Sequence, residues 1–141
     1  MYCKVMQCIR MKCCRIGYHG FMNDLIADWR ERQRTYLATA ASLDRTLEQQ
    51  FDLGLSEFEI LDLVWESDTP ECTMRDIGGL TPMTQSALSR VVDRLTKAGL
   101  LTREECSTDR RSMFVALTKE GASVHTKARK VYQDVLASEL G

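Results

Sequence analysis

At 141 residues the chain fits one domain, long enough to bury roughly two thirds of the surface that its unfolded form exposes. Hydrophobic side chains make up 44% and charged ones 28%, which excludes low-complexity disorder and collagen-like sequence. No apolar run approaches the ~18 residues of a membrane span. No uninterrupted apolar segment follows the first basic residues as it does in a secretory signal. The expected compartment is therefore the cytoplasm, with no membrane partner.

Lys plus Arg is 19 and Asp plus Glu is 20, a formal net charge of −1. Residues 1–20 hold Lys4, Arg10, Lys12 and Arg15 and no acid, a local +4, so the other 121 set 15 basic against 20 acidic side chains, a local −5. Bulk charge announces no nucleic-acid partner, and such a partner must be read from where the basic residues sit.

Residues 1–20 form a Cys-rich basic leader ahead of a domain at 21–141. The spacing Cys3-x4-Cys8-x4-Cys13-Cys14 is no paired zinc-knuckle spacing. Without a secretory signal, structural disulfides are not expected. The plain reading is a poorly ordered extension, with regular patterning starting at Met22. A thiol-based metal or redox site, or a membrane or nucleic-acid contact by the four basic residues, are the alternatives. His19 and His125 lack a second ligand at metal spacing, so neither a metal nor a cofactor is expected.

Residues 21–49 read as one helix. Leu25, Trp29, Tyr36, Ala40, Leu43 and Leu47 recur at three- and four-residue intervals, while Arg30, Arg32, Arg34, Asp44 and Arg45 mostly fall off that stripe. Such a helix is roughly 43 Å long, and a lone domain has little core to cover it. The stripe is expected to pack partly on the same helix of a second chain; an internal core helix is the alternative. Asp52-Leu53-Gly54 ends it, with Gly54 expected as the left-handed cap. Ser56-x-x-Glu59 predicts a capping box, and Phe58, Leu61, Val64 and Trp65 the buried face of the next helix, which stops at Ser67-Asp68-Thr69-Pro70.

Thr73 caps a short helix with Met74 and Ile77 inside, closed by Gly78-Gly79. Thr81-Pro82-Met83 is a tight turn. Thr84 caps helix 85–98, whose inner face is Leu88, Val91, Val92, Leu95 and Ala98 and whose outer face is Gln85, Ser86, Ser89, Arg90, Asp93, Arg94 and Lys97. Gly99 stops it. Leu100 to Glu104 and Met113 to Leu117 read as strands around the polar hairpin Cys106-Ser107-Thr108-Asp109-Arg110-Arg111. Thr118 caps a last helix to about 138, with Val124, Ala128, Val131, Val135 and Leu136 on one face.

The fold class that follows is mainly α with a small two- to three-stranded β-wing: a winged helix-turn-helix flanked by long dimerisation helices. The chemistry suits double-stranded DNA. A helix entering the major groove needs short polar side chains on its first turns, and Thr84, Gln85, Ser86 and Ser89 meet that need. Gln85 has the geometry to bond adenine, and Arg90 guanine. Arg94 shares their face. The amides beyond Thr84 suit a phosphate, and Arg110 and Arg111 at a hairpin tip suit a narrow minor groove. Asp109 is expected to hold one of these arginines in place. Singly, each residue is more often a cap or a solvated charge; the DNA reading comes from their order and spacing together.

The run Thr84-Gln85-Ser86-Ala87-Leu88-Ser89-Arg90-Val91-Val92-Asp93-Arg94-Leu95, then Gly99-Leu100-Leu101, Asp109-Arg110-Arg111 and Leu117-Thr118-x-x-Gly121, resembles the MarR family of bacterial regulators over about 22–138. The resemblance implies a homodimer that represses or activates transcription from pseudo-palindromic operators and is released by a small phenolic ligand or an oxidant. It places the recognition helix at 84–98, the wing at 106–112, and the family's wing acid and arginine on Asp109 and Arg111. Members usually carry a further C-terminal helix. Here the chain stops at Gly141, so the dimer is expected to rely on helices 21–49 and 119–138. Gly78-Gly79 and Pro82 also depart from the better helix formers usual there.

A ligand cleft lined by Trp29, Tyr36 and Trp65 stands beside the plainer reading of these as aromatic core. Cys106, at the base of the wing, reads either as a redox-coupled thiol or as a small buried residue, and Cys72 likewise. A rival of another class is a winged-helix protein-protein interaction module without DNA binding. An enzyme is not expected, since no nucleophile–base pair, phosphate loop or metal box is present.

Overall fold

The computed structural model describes the backbone of residues 3–67, 72–105 and 113–141, and side chains over 23–67, 72–104 and 113–141. Among these, five helices and two strands follow in order: α1 (Cys3–Phe51), α2 (Leu55–Glu66), α3 (Met74–Leu80), α4 (Gln85–Lys97), β1 (Leu101–Glu105), β2 (Met113–Leu117) and α5 (Lys119–Leu140). The chain divides into two units, Met1–Ala38 and Thr39–Gly141. No helix among the described residues is long and apolar enough to cross a membrane.

The first unit is the N-terminal part of α1. The helical backbone begins at Cys3 rather than near residue 21, and no proline stands before Phe51 to break it. The side chains of the leader lie outside the described residues. From residue 23 this part carries surface ion pairs, Arg32 with Asp28 at 2.8 Å and Arg34 with Glu31. Leu25, Ile26, Trp29, Tyr36 and Leu37 are exposed on it.

The second unit holds the core. Leu43 and Leu47, the last members of the α1 stripe, are buried there. Asp52, not Gly54, takes the left-handed conformation that ends α1, with φ 53, and its amide donates to Glu48 O at 3.0 Å. Aspartate tolerates that region because its short polar side chain bonds locally. Gly54 is instead the extended N-cap of α2, with φ −70 and ψ 157. Its amide donates to Glu57 Oε2 at 2.9 Å, and that of Leu55 to Asp44 Oδ1 at 2.7 Å. The box expected at Ser56 and Glu59 thus forms two residues earlier, because carboxylates from α1 and α2 already satisfy the free amides. The buried face of α2 is Phe58, Ile60, Leu61 and Val64. Trp65, expected inside, is 48% exposed. It sits at the end of the helix with one ring face stacked on His125 at 4.9 Å.

Thr73 caps α3 as the sequence predicts. Its hydroxyl accepts from Asp76 N at 3.2 Å, and Asp76 Oδ2 accepts from the Thr73 amide at 2.9 Å. These bonds to Thr73, hydroxyl first, hold the Asp76 carboxyl below the usual carboxylate range. The helix does not close at Gly78-Gly79 but runs through them to Leu80. Ile77 anchors it in the core.

Gly99, at φ 76, makes the left-handed stop after α4. Strands β1 and β2 then pair antiparallel in the register Leu101↔Leu117 to Glu105↔Met113. A single bridge, Thr73↔Phe114, with Val115 N donating to Cys72 O at 2.8 Å, lays the start of α3 along β2 as a one-residue third strand. Thr118 caps α5, accepting from Gly121 N at 2.9 Å and donating to Gly99 O at 2.7 Å. The core these elements enclose runs from Leu47 through Phe58, Leu61, Ile77, Leu88, Val92 and Leu95 to Leu101, Val115 and Ala128.

Candidate nucleic-acid interface

Helix α4 is divided along its length. Leu88, Val91, Val92 and Leu95 are buried, at four-residue and three-residue spacings that put them on one side. Opposite them lie two rows at near four-residue spacing. One is Ser86, Arg90, Arg94 and Lys97, all exposed; the other is Gln85, Ser89 and Asp93. The helix begins at Thr84, whose Oγ1 accepts from Ala87 N at 3.2 Å and lies 3.3 Å from Ser86 Oγ. The structure therefore brings Thr84, Gln85, Ser86, Ser89 and Arg90 to one accessible surface, preceded by α3 and a turn and followed by the β1–β2 hairpin. A Cβ on Gly78 would meet Gln85 Oε1 and Leu88 Cδ2 at 3.6 Å, so α3 and α4 approach closely at that glycine.

Two ion pairs hold this helix from different sides. Arg94 Nε lies 2.9 Å from Glu57 Oε1 on α2, and Arg103 Nη1 of β1 lies 2.6 Å from Asp93 Oδ1. Asp93 and Arg94 are consecutive, yet each ties α4 to a different element. Arg94 is thus only partly available as a cation, whereas Arg90 makes no ion pair among the described residues. Glu57 and Arg103 belong to no motif in the sequence. Their one signal is position: Arg103 falls two residues after the buried Leu101, on the inward side of its strand.

The family model described as "MarR family" matches residues 51–112. That span runs from the last residue of α1 through α4 and β1 to the residue before β2. Over that span the chain resembles MarR-family winged helix-turn-helix proteins. Among solved structures, AbsC, a MarR family transcriptional regulator from Streptomyces coelicolor, aligns with a TM-score of 0.74 at 28% identity over 80% of this chain and 76% of its own. Sco3205, a MarR family regulator of the same organism solved in complex with DNA, gives 0.74 and 28% over 79% and 69%. In sequence, the organic hydroperoxide resistance transcriptional regulator of Bacillus subtilis (strain 168) is 28% identical over 103 residues, 70% of this chain and 69% of its own. The family and these relatives are transcriptional regulators, not enzymes.

Cys106, Asp109, Arg110 and Arg111, expected from the sequence at the hairpin, lie outside the described residues. Of the three aromatic residues named for a ligand, Trp29 and Tyr36 belong to the first unit and are 61% and 69% exposed, and Trp65 belongs to the second. Cys72 is buried, and burial pushes its thiol up, which disfavours the thiolate that oxidants attack. Among the described residues no group of three His, Cys, Asp or Glu side chains could hold a metal ion.

Away from that surface, α2 and α5 share a polar contact. His125 is 1% exposed, and its Nε2 lies 2.7 Å from Asp62 Oδ1. Its ring stacks between Phe58 and Trp65, at 5.9 and 4.9 Å. Arg129 adds a bond to Glu66 at 3.0 Å. The sequence shows His125 only as a lone histidine; its partner stands 63 residues earlier on another helix.

Proposed function

We propose that this chain is a MarR-family regulator that binds DNA sequence-specifically as a homodimer on a pseudo-palindromic operator, with α4 in the major groove and the wing, residues 106–112, in the minor groove. The observation that carries the reading is the division of α4. Its apolar side is fully buried, while Thr84, Gln85, Ser86, Ser89 and Arg90 are presented together on the other. Short polar groups, and a guanidinium with no ion pair among the described residues, are what base edges require. The relative Sco3205, solved with DNA, supports the same use of this fold.

The homodimer reading rests on the apolar residues that α1 leaves exposed, Leu25, Trp29 and Tyr36, and on α5. Two recognition helices would then stand roughly 34–36 Å apart, one turn of DNA. Release by a small phenolic ligand, or by oxidation at Cys106, is the regulatory part of the proposal.

The test is titration on DNA from the chain's own upstream region at several salt concentrations. A regulator gives a steep negative slope of log affinity against log salt, and Arg111→Ala weakens binding and flattens that slope. A flat response in the parent supports a winged-helix interaction module instead. Sedimentation that finds only monomer at micromolar concentration overturns the dimer.

A further inference from the structure

We infer that Arg103 is a positioning residue of the nucleic-acid interface, locking strand β1 of the wing onto the recognition helix so that both are set in one orientation. The inference rests on the DNA reading above. Leu101 and Arg103 lie on the same side of β1, since alternate residues of a strand share a face. Leu101 is buried and the Arg103 side chain only 25% exposed, so the strand aims the guanidinium at α4 rather than at solvent. There Nη1 meets Asp93 Oδ1 at 2.6 Å, and Nη2 reaches Ser89 O at 3.5 Å. Nε is buried without a hydrogen-bond partner among the described residues, which leaves Asp93 as the strong contact that fixes the group.

The location gives this contact its consequence. Asp93 and Ser89 belong to the row Gln85, Ser89, Asp93, the same row that presents candidate base-reading groups. A two-stranded ribbon twists more freely than a wider sheet, and the third strand here is a single residue, Thr73. Fixing Arg103 to α4 therefore fixes the direction in which β1 leaves the core. Major- and minor-groove contacts are then available at once only while the pair holds.

The experiment selects a duplex from a random pool with the parent protein, then compares its affinity with that of an unselected duplex for the parent, Arg103→Gln, Asp93→Asn and the double variant. All are measured where far-UV circular dichroism shows them folded, so lost stability does not enter the ratio. Arg103→Gln is expected to lower the preference for the selected duplex about tenfold, with the salt slope unchanged. The double variant is expected to lose no more than Arg103→Gln, because both remove one contact. Equal weakening on both duplexes, with the slope shallower by about one, would mean a direct phosphate contact and overturn the positioning role; so would an unchanged preference. If Arg103→Gln does not fold, Asp93→Asn alone must lower the same preference or the inference fails. A parent that enriches no duplex removes the DNA reading itself, a result distinct from one in which the parent enriches and the variants match it.

Discussion

Glu57 Oε1 pairs with Arg94 Nε at 2.9 Å while Glu57 Oε2 accepts from the Gly54 amide, so one carboxylate joins the start of α2 to the side of α4. The Glu57 side chain is 12% exposed and that of Arg94 66%. Arg94 also borders a cleft whose other walls include Asp44, Glu48 and Asp52. Its cation is therefore already engaged by the protein's own acids. Arg90, one turn earlier on the same row, has no such partner among the described residues. The expected outcome is that Arg90→Ala flattens the salt dependence of DNA binding by about one unit of slope, and Arg94→Ala by clearly less. Equal changes in the two slopes would mean that DNA strips Arg94 from Glu57.

The same pair gives a stability test without DNA. Replacing Glu57 by Gln leaves the Gly54 amide an acceptor but removes the charge facing Arg94. For a pair with one largely exposed partner, solvent screening holds the loss to about 1 kcal/mol or less. Urea denaturation of the parent and Glu57→Gln at pH 7 measures it, and no change in midpoint would reduce the pair to a surface ornament.

Base reading is tested at Gln85 and Ser89. Neither carries charge, so Gln85→Ala and Ser89→Ala are expected to change which base is preferred at one position of each half-site, by about 1–3 kcal/mol of discrimination. Binding to unrelated duplexes should hardly move. Uniform loss on every sequence would show that these side chains act on the backbone of DNA or on the fold instead.

The elements that local chemistry decides were readable in the sequence. Thr73, Thr84 and Thr118 each stand at a helix start with a hydroxyl on an amide three residues on, and Gly99 takes the left-handed stop. The divided face of α4 follows from helical spacing, save at Ala98, expected inside but exposed at the end of the helix. What was misread depends on groups brought in from far along the chain. Asp44 reaches the start of α2 from 11 residues earlier and helps move its cap to Gly54. Trp65 leaves the core because His125, 60 residues later, fills the space beneath it. Arg103 and Glu57 look like ordinary solvated charges until the fold sets them beside Asp93 and Arg94. No periodicity in one segment carries that information.

Two glycines are expected to behave oppositely. A Cβ at Gly121 would lie 2.0 Å from Leu100 O and 3.0 Å from Leu117 Cδ2. The carbonyl belongs to backbone held by the Thr118 N–H bond to Leu100 O at 3.1 Å, so it has little room to retreat. Gly121→Ala should cost about 3 kcal/mol or more, within the range of overpacked cores. At Gly79 a Cβ meets nothing within 4 Å, and the position is inside α3. Gly79→Ala should add about 0.5–1 kcal/mol by restricting the unfolded chain. Thermal unfolding of both variants decides the matter, and a destabilised Gly79→Ala would show that α3 does not hold its helical form there.

Two carboxylates are expected to give stability opposite dependences on pH. Burial pushes Glu59 above its ordinary value of 4.5, so the folded state holds that proton more tightly than the unfolded one. Its ionised form therefore weighs against folding above the raised value, and the penalty is relieved as pH falls through that value toward 4.5. Glu59→Gln should accordingly be more stable than the parent at pH 7, with the gap closing as the pH is lowered. Asp76 runs the other way. Its bonds from Thr73 depress it, so it contributes stability above its unfolded value, lost as pH falls through the lowered one. Asp76→Asn should be less stable than the parent at pH 7, and this gap also narrows in acid. Denaturation midpoints of the two variants between pH 7 and pH 3 separate these effects by sign, and a Glu59→Gln protein that is less stable at pH 7 would mean that its carboxylate has a cationic partner in solution.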